Sequence, residues 1–384
     1  MARYALTIFL SAFLLFQVQP MIGKFILPWF GGTPAVWTSC MLFFQVVLLA
    51  GYAYAHGLSL HFPRRTQALV HLGLLTASVV MLWFFPPSTA WKPEGGEFPL
   101  IRILALLAMT IGAPYLVLST TGPLMQDWFA HTNPDKSPYW LYALSNTGSL
   151  LALVSYPFLV EPLLSLPWQT FIWKMGHLVF VGCCAWCAYQ LWTAPEEELA
   201  AAKAKQDAKE AEASMKEAKG LDFGVRQPHA DRDPDVPPSW ADWALWCGLS
   251  AVGSLMLLAT TNQLCQDVAA VPFLWILPLA LYLLTFILCF QGDAWYGRGV
   301  SGLTLMVALF IAMVLLTRGV GVELWQQVAG YSFVLFMCCI CLHGELVQSK
   351  PHPRYLTSFY LLISTGGALG GIFVSLIAPT IFQG

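Results

Sequence analysis

Apolar residues in this chain run in blocks of roughly twenty, the length that carries an α-helix across the hydrocarbon core of a bilayer. Short clusters of Pro, Gly, Arg or Lys separate the blocks. The pattern predicts eleven membrane helices, over 5–29, 35–58, 66–86, 101–130, 138–160, 168–193, 241–262, 271–290, 299–317, 323–348 and 355–381. One long polar interruption falls at 194–238. The expected molecule is an all-α polytopic membrane protein. It has an N-terminal six-helix unit (1–193), a charged connector (194–240) and a C-terminal five-helix unit (241–384).

Composition supports this picture. Of 384 residues, 57% are hydrophobic and 10% charged, against about 25% charged in soluble proteins. The chain has 19 Lys+Arg and 21 Asp+Glu, and 18 of these 40 charges lie within 194–238. A net charge of −2 gives no basic field for nucleic acid. The N-terminus, M-A-R-Y, enters an apolar run with no small-residue cleavage site before Pro20 and Lys24, so a retained first helix is expected. Arg3, Arg64, Arg65, Lys136, Arg298, Lys350 and Arg354 fall on one side of the predicted topology. Lys92, Arg102 and Arg318 fall on the other. The bias places the N-terminus in the cytoplasm and, with eleven spans, the C-terminus outside.

The chain repeats itself. Y-A-L-S-N-T-G-S-L-L (142–151) and Y-L-L-I-S-T-G-G-A-L (360–369) align at an offset of 218, pairing Tyr142 with Tyr360, Thr147 with Thr365 and Gly148 with Gly366. Helix n corresponds to helix n+6. Six is even, so the repeats are parallel and related by an axis along the membrane normal. A six-plus-six plan leaves room for a twelfth helix beyond Gly384.

Candidate chemistry centres on Gln17–Trp37, where Gln17, Gln19 and Lys24 mix with Pro20, Pro28, Gly31, Gly32 and Pro34. Polar side chains and broken backbone at membrane depth imply a protein-lined or watery cavity. A related stretch supplies Asn262, Gln263, Gln266 and Asp267. Both stretches are expected to face one cavity, with Lys24 and Asp267 pairing or lining a path. The plain alternative is that they sit in the headgroup layer, with Lys24 snorkelling past Pro28 and Trp29. A second group comprises Gln126, Asp127, His343, Glu345 and Gln348, with His343 and Glu345 as a proton-handling pair. A third group is Asn146 with Ser145, Thr147 and Ser149 inside the fifth helix, and Asn146 is either a ligand contact or interhelical glue. Glu161 is expected to form an interfacial ion pair opposite Lys174 and His177.

All ten cysteines fall in apolar segments, including C-C-A-W-C (183–187) and C-C-I-C (338–341), which read as small packing residues. Neither cluster has the acidic or His set that completes a tetrahedral metal site. His56, His71 and His177 lack a repeated spacing that would set two imidazoles across a haem. No cofactor is called for. Within the connector, 194–220 is a strong helix by propensity, flanked by Thr193 and Gly220. It is a solvated link or a docking handle for a soluble or membrane protein partner.

L-F-Q-V-Q-P-M-I-G-K-F-I-L-P-W-F-G-G-T-P-A-V-W-T-S-C, Y-A-L-S-N-T-G-S-L-L-A-L-V-S-Y-P-F-L-V-E-P, Q-D-V-A-A-V-P-F-L-W-I-L-P-L-A-L-Y-L-L-T-F-I-L-C-F and H-G-E-L-V-Q-S-K-P-H-P-R-Y-L-T-S-F-Y carry a family resemblance. They resemble the membrane portion of bacterial fused major-facilitator/spermidine-synthase-type proteins. The resemblance implies a major-facilitator-like arrangement in the bacterial inner membrane and a soluble aminopropyltransferase-like domain. No G-x-G-x-x-G following a strand occurs in this chain, so that activity is not carried over. The expected function is a transporter or ligand-binding protein for a small polar metabolite, and the resemblance points to a polyamine-related one. The alternatives are a non-catalytic membrane anchor or assembly subunit, or the membrane half of an enzyme whose catalytic domain acts in trans.

Overall fold

The computed structural model describes residues 1–31, 34–93, 99–133, 138–193, 238–266, 272–291, 295–318 and 322–381. The predicted connector helix therefore lies outside the described residues. Those residues form eleven long helices: α1 (Ala2–Phe30), α2 (Pro34–His61), α3 (Arg64–Met81), α4 (Pro99–Thr132), α5 (Tyr139–Ser155), α6 (Leu166–Thr193), α7 (Trp240–Gln266), α8 (Pro272–Gln291), α9 (Arg298–Arg318), α10 (Leu324–Gln348) and α11 (Leu356–Ile372). A π-helical turn extends α5 over Tyr156–Val160, and another extends α11 over Phe373–Ile377. Nine of the eleven are long and apolar enough to cross a membrane, and the described parts of α8 and α11 are shorter apolar helices.

One expectation changes. The stretch after Gln17 is not broken, because α1 continues through Pro20, Lys24 and Pro28 to Phe30. Each proline removes one backbone donor, and around Pro20 the helix is held by packing, since Gln17 to Gly23 are all buried. Among the candidate spans α1 is the most deeply buried. The chain leaves the helix at Gly31, whose φ of 93° is a left-handed value that favours glycine. The Gly31 N–H donates to the Leu27 carbonyl at 2.9 Å.

The repeat seen in sequence is also a repeat of packing. α1 packs on α4 and α5, and α7 packs on α10 and α11. Likewise α4 packs on α2 and α3, as α10 packs on α8 and α9. The halves meet through α5 against α8 and α2 against α11. These contacts exchange under a two-fold axis along the bundle.

The two aligned glycines explain why α5 and α11 approach their partners so closely. A Cβ on Gly148 would lie 2.8 Å from the Phe9 carbonyl oxygen of α1, and one on Gly366 would lie 2.2 Å from the Cys247 carbonyl oxygen of α7. Small residues let membrane helices bring their backbones together where no hydrophobic drive separates helix from lipid. Gly367, one residue on, has nothing within 4 Å of its missing Cβ.

The contrast is testable. Gly366→Ala is expected to destabilise the protein by about 2 kcal/mol, because backbone must shift to admit the methyl group. Gly367→Ala is expected to leave thermal unfolding in detergent unchanged or slightly raised. Equal behaviour of the two variants would contradict the packing account.

Candidate functional site

A cavity of about 210 Å³ lies between the halves. Its walls are stripes at helical spacing. α1 contributes Ser11, Leu15, Phe16 and Gln19; α2 contributes Met41, Phe44, Gln45, Leu48 and Tyr52; α4 contributes Tyr115 and Ser119. From α5 come Tyr142, Ser145, Asn146 and Ser149, and from the C-terminal half Ser254, Tyr282, Phe286 and Ser364. No charged side chain is among the described lining residues.

The end of the bundle that carries the N-terminus, here the basal end, is sealed. Tyr142 and Tyr360, equivalent in the repeat, stack with ring centroids 4.8 Å apart and planes at 14°. Phe286 and Phe290 of α8 close around Tyr142. Below this layer the Tyr360 hydroxyl donates to Gln126 Oε1 at 2.9 Å, and His56 Nδ1 meets Thr357 Oγ1 at 3.0 Å. The Tyr139 hydroxyl donates to the Pro351 carbonyl, and Lys350 sits 5.3 Å above the Tyr139 ring.

No family model matches the chain, and no curated protein matches it in sequence. In structure it is similar to the proton:xylose symporter XylE bound to 6-bromo-6-deoxy-D-glucose, an E. coli protein. The TM-score is 0.56 at 12% identity, over 99% of this chain and 88% of that one. It is also similar to the human organic anion transporter MFSD10, with a TM-score of 0.52 at 16% identity, over 99% of this chain and 93% of that one. The chain has the major-facilitator fold. At such identities the likeness carries the fold alone, and what the site does must be argued from its own residues.

Within this major-facilitator arrangement the sequence candidates separate. Gln19 reaches the cavity, donating to the Tyr115 hydroxyl at 3.2 Å. Asn146 lines it too and donates to the Tyr142 carbonyl at 3.2 Å. Gln17 does not, because it turns away and donates to the Ala152 carbonyl and Ser155 Oγ of α5 at 3.0 and 3.1 Å. It is interhelical glue. Asn262 is exposed and Gln263 half-buried near the end of α7, and neither lines the cavity. The side chain of Gln266, and all of Asp267, lie outside the described residues.

Lys24 has a different partner from the one expected. Its ammonium lies 2.7 Å from Glu161, and both side chains are about a third exposed, at 32% and 36%. Glu161 therefore pairs with α1 and not with Lys174 or His177. His177 is fully buried and hydrogen-bonds Ser78 Oγ at 3.1 Å.

His343 and Glu345 are not a pair. Residues two apart on a helix do not face each other. His343 is buried, holds Thr285 Oγ1 at 2.9 Å and stacks on Phe286. Glu345 takes a two-pronged ion pair from Arg298 at 2.7 and 2.8 Å and accepts from the Tyr296 hydroxyl. Asp127 holds Arg64 in the corresponding place of the other half.

Sequence reasoning missed Tyr52, Tyr115, Tyr282 and Ser364 as lining residues. The signal was a polar position every third or fourth residue along otherwise apolar helices, and it is diluted because Ser and Tyr also serve as packing residues.

Lys24→Glu is expected to cost roughly 0.5–1 kcal/mol, the scale of a partly exposed pair. The exchange Lys24→Glu with Glu161→Lys should recover it in thermal unfolding. A double variant no more stable than the sum of its singles would show the contact to be idle.

Proposed function

We propose that the chain is a membrane carrier that moves a small polar metabolite by alternating access to the cavity between its halves. The observation that carries this reading is the layered seal: a polar-lined cavity between two pseudo-symmetric halves, closed at the basal end, among the described residues, by stacked rings, neutral hydrogen bonds and a cation–π contact. Each neutral hydrogen bond contributes only about 1 kcal/mol net, so rocking of the halves can trade them for water. The structural neighbours are described as a proton:xylose symporter and an organic anion transporter. Transport is thus common to them while cargo differs, and cargo here is read from the cavity. In this reading the protein sits in a bacterial inner membrane with the basal end in the cytoplasm, in keeping with the excess of Lys and Arg in the basal loops.

The test is a lock. Gln126 and Tyr360 touch across the seal. Cysteines at both positions, joined by a short reversible crosslinker, are expected to abolish metabolite exchange in proteoliposomes, and a reductant should restore it. Exchange that continues with the seal crosslinked would sink the alternating-access reading. Failure of the uncrosslinked protein to exchange any of a panel of neutral, cationic and anionic metabolites would sink transport itself.

A further inference from the structure

Several of the cavity's polar side chains already donate within the protein. Ser11 Oγ gives its proton to the Ile8 carbonyl at 2.8 Å, Ser119 to Leu116 at 2.7 Å and Ser149 to Ser145 at 3.1 Å. Gln19 Nε2 is likewise occupied, by the Leu15 carbonyl and the Tyr115 hydroxyl. What these groups still offer the cavity is acceptor capacity: three hydroxyl oxygens and one amide oxygen, all from the N-terminal half.

The C-terminal half brings hydroxyls of Ser254, Tyr282 and Ser364 to the same cavity, and one of them stands apart. Ser364 is 7% exposed, lines the cavity, and its Oγ has no hydrogen-bond partner. A buried hydroxyl left without a partner carries a desolvation penalty that a ligand can relieve. At the repeat offset of 218, Ser364 is the counterpart of Asn146. Both stand one helical turn above the stacked Tyr142 and Tyr360, from opposite halves. A ligand touching both therefore bridges the halves.

We infer that this cavity binds an uncharged polar molecule, carrying both donors and acceptors, with one flat apolar face. Its O–H or N–H groups meet the acceptors of α1, α4 and α5. One of its polar groups satisfies Ser364, and its apolar face lies on the aromatic layer around Tyr142 and Phe286. Charge is selected against on both signs. Among the described lining residues no carboxylate awaits a cation and no Lys or Arg awaits an anion, and an unpaired buried charge is far costlier than a neutral polar group. This argues against a polyamine. The cavity, about 210 Å³, has room for a ring with a short polar arm. The inference rests on the carrier reading for what happens after binding, and not for binding itself.

A matched series tests it: 1-phenylethane-1,2-diol, 2-amino-1-phenylethanol and mandelate share one shape with a neutral, cationic or anionic head. On full-length protein in nanodiscs, the diol is expected to bind roughly tenfold or more tightly than either charged member. Ser364→Ala loses no internal bond, so its unfolding midpoint without ligand should match the parent while diol affinity falls roughly three- to tenfold. Asn146→Asp places a carboxylate in the cavity and should reverse the preference toward the amine. Tighter binding of the amine or mandelate by the unaltered protein, binding of none of the three, or an unchanged diol affinity in Ser364→Ala overturns the assignment. Diol binding without diol exchange in proteoliposomes would instead overturn the carrier reading and leave the site standing.

Discussion

In hydrocarbon a polar group finds no water, so it must pair within the protein or face a cavity. That constraint sorts nearly every polar residue of this bundle. In the N-terminal half, Trp128 donates to Gln67, His71 meets Cys184, His177 meets Ser78 and Gln17 ties α1 to α5. These are closed accounts of one group by another, spread through the interior of a single half. A second set of polar groups, Gln19, Asn146, Ser149 and Ser364 among them, lines the cavity along the seam between the halves.

The block shared by α5 and α11 shows how one short segment serves packing and site together. Tyr142 and Asn146 are four apart and point to the same side of α5, as Tyr360 and Ser364 do on α11. Gly148 and Gly366 lie two residues beyond Asn146 and Ser364, so the 100° step per residue turns them to the far side of each helix. One face of each helix therefore presents a ring and a polar group to the seam. The other face lies flush against α1 or α7, where a Cβ would collide with backbone carbonyls. Moving α5 or α11 to reshape the cavity would open that glycine contact, which ties each cavity wall to the rigid body of its own half.

Much of the fold was legible in the sequence because a span needs an uninterrupted apolar run, and such runs can be counted. The parallel repeat was legible because two glycine-bearing blocks align without gaps. The site was read less well, and the failures share one physical cause. Gln17 with Gln19, and His343 with Glu345, were grouped as sequence neighbours, yet residues two apart on a helix point nearly opposite ways. So Gln17 binds α5 while Gln19 faces the cavity, and His343 packs on Phe286 while Glu345 reaches Arg298. Pro20 misled for a related reason. A proline marks a lost donor, but whether the helix breaks depends on the packing around it, which only the tertiary structure supplies.

The placement of charge completes the logic of movement. Arg64–Asp127 joins α3 to α4, Arg298–Glu345 joins α9 to α10, and Lys24–Glu161 joins α1 to the end of α5. Every one of these ion pairs lies inside a single half. Among the described contacts that cross the basal seal are stacked rings, neutral hydrogen bonds and a cation–π contact. Partly exposed ion pairs contribute up to about 1 kcal/mol, and Arg64–Asp127, with side chains 21% and 14% exposed, is the most buried of the three. In the carrier reading, rocking about the seam leaves these pairs together within each half and exchanges neutral hydrogen bonds for water at small net cost. Among the described lining residues there is no charge, so closing over a neutral ligand desolvates no ion of theirs. In the carrier reading, the three ion pairs hold each half together while stacked rings and neutral hydrogen bonds join the halves at the seal.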